Sequence, residues 1–159
     1  MSFDVDDVGA VCLAHALADR GEAHLIAMLH NSGYPEGVGA LSVINEYYGR
    51  NVVLGAFKGT FGRQPPPKGG GEADWVRGPF IQDLIRNWQP KVSQASQVSD
   101  ALHVYRRALV GAADHSVVIA AIGFATNLAA LLQSQPDHIS PLHGTDLVQR
   151  KVRRVVWQG

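Results

Sequence analysis

The chain has 159 residues, 46% of them hydrophobic and 18% charged, with Lys+Arg and Asp+Glu equal at 14 each. That is enough apolar material for one globular core and too little charge for a disordered chain. Zero formal net charge offers no footprint for a polyanion, so nucleic acid is not an expected partner, and no run approaches the roughly 18–20 apolar residues of a membrane span. The single cysteine, Cys12, excludes a disulfide framework and a multi-thiolate zinc site, and a cytoplasmic location is expected from that usage and from an acidic start where a signal peptide is basic.

In chain order, Val8, Val11, Cys12 and His15 recur at helical spacing, and Arg20-Gly21 ends that helix. His24 to Leu29 is a short continuous apolar run, predicted as a strand buried on both faces, followed by a turn at Asn31–Pro35 and a helix over about 36–48. Asn51 to Gly55 predicts a second strand. From Lys58 to Gly78 the composition turns to proline and glycine, which predicts a flexible surface loop over about 58–78. Helices are expected from Pro79 to about Trp88 and over about 99–112, then the strongest strand signal at 115–122. Gly123 leads to a helix from Thr126, where Thr126 or Asn127 can serve as the cap. A last helix over about 145–154 precedes a strand from Val155. Alternating helices and continuously apolar strands specify an α/β fold, a parallel sheet with helices on both faces, whose ligands sit at the carboxyl ends of the strands.

The residues at those ends carry the chemistry. Asp4-Val5-Asp6-Asp7 places three carboxylates within four residues before a helix. Capping and the helix dipole account for one such residue; three repel one another unless a hard divalent cation relieves them, and on these residues alone metal or ribose binding and capping both stand. Asn31 follows one predicted strand, where an Asx turn is the ordinary alternative, and Gly123 follows another. His15 and His30 read as packing or surface residues, and the Arg150-Lys151-Arg153-Arg154 run as a solvated helix end.

Taken in order, these pieces resemble the inosine-uridine-preferring nucleoside hydrolase family. Phe3 to Ala10 looks like the second half of the family's DTD-spacer-DD motif, Asn31 matches the asparagine closing its next strand, and Gly123-Phe124-Ala125-Thr126-Asn127-Leu128-Ala129 matches its G-x-x-T-N-L-A turn. Leu147 to Trp157 resembles the segment before the family's Met-Gly-Gly. The resemblance implies a Rossmann-like nucleoside hydrolase fold and calcium-dependent hydrolysis of the N-glycosidic bond of purine or pyrimidine ribonucleosides to base and ribose. Ca2+ is the implied cofactor, a small-molecule nucleoside the implied partner, and a homo-oligomer is in keeping with the family.

Carried over position by position, Asp7 matches the calcium carboxylate, with Asp4 a further metal candidate. Asp6 matches the carboxylate that contacts ribose, Asn31 the asparagine near metal and sugar, and Ile122 the position whose backbone carbonyl ligates calcium. The DTD half, with the expected general-base aspartate and the first strand, would fall before Met1, and the family's later His-Asp pair is not in the chain. Residues 1–159 are accordingly expected to form a single partial domain with open sheet edges, weakly active or inactive alone. The alternative is a non-catalytic remnant serving as a binding or oligomerisation module.

Overall fold

The computed structural model describes residues 5–60 and 79–158. In chain order these form α1 (Asp6–Asp19), β1 (Ala27–His30), α2 (Gly37–Tyr47), β2 (Val53–Ala56), α3 (Pro79–Trp88), a 3₁₀ turn (Ala95–Gln97), β3 (Ser99–Asp100), α4 (Ala101–Gly111), β4 (Val117–Ala121), α5 (Thr126–Gln133), α6 (Gly144–Lys151) and β5 (Val152–Trp157). The α/β class expected from the alternation is what forms, and among the described residues the strand pairings are parallel. Among the described residues no helix is long and apolar enough to cross a membrane.

The strands build two short sheets where one was expected. β1, β2 and β3 lie side by side in that order, and β4 pairs with β5 in a separate sheet. Register runs from Ala27 opposite Val53 to His30 opposite Ala56 in the first, and ends with Ala121 opposite Trp157 in the second. Segment 61–78, the core of the expected proline- and glycine-rich loop, lies outside the described residues. Lys58, where the expected loop begins, is tied down: its ammonium donates to the carbonyls of Ala95 and Val98.

α1 and α2 end alike. In each the residue after the cap is a glycine at positive φ, Gly21 at 71° and Gly49 at 63°. Its N–H bonds back to Ala18 or Glu46, and the next N–H reaches Leu17 or Asn45, the paired bonds of a Schellman motif. The helices then pack by face. Val11, Ala40, Leu41, Ile44 and Ile81 join α1, α2 and α3 over Met28 and Leu54 on one side of the first sheet. Leu109, Ile119, Leu131 and Leu147 join α4, α5 and α6 under β4. α4 also lies against the opposite side of the first sheet, so it is common to both sheets.

Arg106 of α4 is fully buried and organises the connection from α5 to α6. Its guanidinium donates to Ser134 Oγ at 2.8 Å, Asp137 Oδ1 at 3.1 Å and the carbonyls of Ser140 and Leu142 at 3.0 Å each. Partial desolvation pushes the Asp137 carboxyl up, but the Ser140 N–H, Arg106 and the Ile139 N–H outweigh it and hold the group down at about 2. A depressed carboxylate stabilises the fold above its unfolded pKa and ceases to do so as pH falls through its folded pKa. For Asp137 that window runs from 3.8 down to about 2. Melting temperatures measured across this window are expected to fall less steeply in Asp137→Asn than in the parent; equal slopes would remove Asp137 from the acid response.

Candidate functional site

The carboxyl ends of β1 and β4 meet at the first turn of α5. Thr126 Oγ1 donates to Asn31 O at 2.8 Å, and buried Asn127 donates through Nδ2 to His30 O at 3.1 Å. Asn31 answers with its own Nδ2, which donates to Phe124 O at 3.2 Å. The expected capping role of Thr126 or Asn127 is therefore corrected: the N-cap of α5 is Ala125, with no side-chain cap, and both polar side chains bridge to β1 instead. Gly123 is needed at this junction, since a Cβ there would lie 2.8 Å from Asn31 Nδ2.

Asp6 and Asp7 open α1, where the helix dipole favours negative charge. The N-cap is Val5, whose side chain makes no capping bond. Asp6 accepts the Asp7 N–H at 2.9 Å and is exposed. Asp4 lies outside the described residues.

A cavity of about 300 Å³ lies between β1 and β4, and it draws three of the sequence-derived candidates together: Asp7, Asn31 and Ile122 all line it. Asp6 does not. Its body is apolar, walled by Val11 and Ala14 of α1, Met28 and Leu29 of β1, Tyr105 and Leu109 of α4 and Ile119 of β4. Burial pushes the Tyr105 phenol up to about 12, so it stays neutral.

The packing reading of His15 and His30 holds. His15 is fully buried and stacks flat on Tyr48, with centroids 4.6 Å apart. His30 is buried, its Nε2 lying 2.7 Å from Tyr34 O and 3.1 Å from Ser32 Oγ, and burial lowers its pKa to about 3. A carbonyl only accepts, so Nε2 carries the proton of a neutral ring. What the sequence reading missed is the wall of the cavity: Tyr105 and Leu109 look like ordinary helix-face residues until α4 is set beneath the gap between the sheets.

For calcium the donors are right in kind and few in number. Asp7 offers a carboxylate, Asn31 an amide oxygen and Ile122 a carbonyl, all hard oxygens, whereas calcium takes about 6–8 of them. Among the described residues no group of three or more His, Cys, Asp or Glu side chains is placed to hold a metal ion. Compared with protein-family models, with curated proteins and with solved structures, the chain finds no match.

The Asn31–Gly123 contact yields a direct test. Gly123→Ala is expected to displace the Asn31 amide and break its bond to Phe124, lowering stability by about 1 kcal/mol. An unmoved Asn31 side-chain amide resonance in the variant would show that the contact does not constrain it.

Proposed function

We propose that this chain is a nucleoside hydrolase-like protein, of Rossmann-like fold, that takes a ribonucleoside and Ca2+ at the carboxyl ends of its parallel strands. One observation carries the reading: Asp7, Asn31 and Ile122, distant in sequence, converge on a single cavity. In parallel α/β sheets that end is where ligands bind. The resemblance of the acidic start and of the Gly123–Ala129 turn supplies the ligand class.

Each residue has a role set by its own chemistry. The Asp7 carboxylate and the Ile122 carbonyl are the oxygens that would hold calcium, and Asp6, exposed on the same first turn of α1, accepts hydrogen bonds from ribose hydroxyls. Asn31 has committed Nδ2 to Phe124 and keeps Oδ1 as an acceptor. Calcium bound there would supply the positive charge that orients vicinal hydroxyls. Glycoside hydrolysis generally calls on a pair of carboxyl groups, one on either side of the scissile bond. Asp7 is the only carboxylate among the described residues lining the cavity, so binding outstrips turnover and the isolated chain is weakly active or inactive.

A second reading, a non-catalytic binding or oligomerisation module, draws on the exposed apolar side chains of the second sheet, Val118, Val155, Val156 and Trp157. Thermal melts with increasing Ca2+ separate the two. The parent is expected to gain stability saturably at millimolar calcium, on the order of the weakest natural sites, and Asp7→Asn to lose that gain when compared with its own calcium-free melt. A parent melt indifferent to calcium up to about 10 mM would leave the module reading in place. Nucleoside cleavage assayed alongside is expected at or near the buffer blank.

A further inference from the structure

The cavity has an unusual lining. It takes in every residue from His24 to Asn31 along one wall, and Val117 to Ala120 with Ile122 along the other. A pocket for a small molecule usually draws scattered side chains with a few convergent polar groups; here two facing walls, completed by side chains of α1, α2 and α4, are continuous stretches of chain that contain β1 and most of β4. β1 pairs only with β2 and β4 only with β5, so among the described residues no strand pairs with the edge that either turns toward the cavity.

The hydrogen bonds show which backbone groups face it. Phe57 N–H donates to His30 O at 2.9 Å, so the polar groups of His30 point toward β2 and, by alternation, those of Ala27 and Leu29 point into the cavity. Gln158 N–H donates to Ala121 O at 3.0 Å, which in the same way turns Val118 and Ala120 inward. Two rows of strand donors and acceptors thus face each other across an apolar space, running in the same direction because both carboxyl ends close on α5.

The course of the chain marks the same place. α2 connects β1 to β2 on the face it shares with α1. The connection from β3 through α4 to β4 runs back along the opposite face and passes over that position before reaching β4.

We propose that the gap is a strand-docking site: an extended, apolar peptide segment of about six residues inserts parallel to β1 and β4 and joins the two sheets into one, ordered β3-β2-β1-guest-β4-β5. The guest's side chains alternate between α1, at Val11 and Ala14, and α4, at Tyr105 and Leu109. Both of its faces are buried, so it is read as a continuous Val/Ile-rich run. Its last residue stops beneath the Asn31–Gly123 contact. The inference goes beyond the nucleoside reading and does not depend on it.

The test uses the intact chain in calcium-free buffer with a synthetic Val/Ile hexapeptide flanked by lysines, carrying a nitroxide at one end or the other. Amide exchange at Ala27, Leu29, Val118 and Ala120 is expected to slow saturably by on the order of tenfold or more. A label on the peptide's carboxyl end is expected to broaden Asn31 and Ile122, and one on its amino end His24 and Ser116. The same peptide N-methylated at alternate residues is expected to protect nothing. Unchanged exchange at saturating peptide, protection confined to the outer edges of β3 or β5, or a reversed label pattern would overturn the proposal. Inner-edge protection that grows with protein concentration in the absence of peptide would also overturn it, assigning the gap to a second copy of the chain.

Discussion

Three hydrogen bonds between the end of β1 and the first turn of α5 set the relation between the two sheets. Asn127 to His30 O, Thr126 to Asn31 O and Asn31 to Phe124 O join residues more than ninety positions apart in sequence. Each neutral bond is worth about 1 kcal/mol, and a buried amide deprived of its partner costs more than that. α4 packs against the first sheet and, through Leu109, against β4 of the second. The convergence of Asn31 and Ile122 follows from this one constraint, and Asp7 joins them on the cavity through α1, whose Val11 packs against α2.

The resulting site has a divided character. Its end at Asp7, Asn31 and Ile122 is polar, offering a carboxylate, an amide and a backbone carbonyl, the kinds of oxygen that the proposed nucleoside and calcium call for. The body below is apolar and bordered by strand edges, and suits a peptide backbone with aliphatic side chains. The two requirements are compatible, since a guest strand that ends beneath Asn31 leaves the polar end open. If both proposals hold, the one cavity serves two ligand chemistries, with Asp7, Asn31 and Ile122 at one and the strand edges at the other.

Much of this was legible in the residues. The helices at 6–19, 37–47 and 79–88 fall within two residues of their expected bounds, because periodic apolar faces and the glycines at 21 and 49 mark them locally. β1, β2 and β4 were readable as short aliphatic runs. β3 was not, since Ser99-Asp100 is polar, two residues long, and runs straight into α4 with Asp100 as its cap. Open edges were expected from the missing first strand, but the strands' own residues do not show where the sheet divides: strand composition reports burial, and both Met28 and Ile119 are apolar whether the neighbouring edge is paired or bare. Thr126 and Asn127 looked like caps because their true acceptors lie far away in sequence, and Arg106 gave no sign of being buried, since guanidinium groups are seldom enclosed unless a later loop supplies as many acceptors as 134–142 does here.

The sequence separation of the junction bonds has a kinetic side. Residues 27–100 assemble the first sheet through crossovers that stay within that segment, and residues 117–157 assemble the second in the same manner. Each is a candidate foldon, and the contacts between them carry the longest loop closures in the chain, so they form late and open early. Asp7, Asn31 and Ile122 stand astride that seam. A ligand held by all three acts as a staple between foldons: its binding free energy goes into making the two halves unfold together, adding little to the stability of either half by itself.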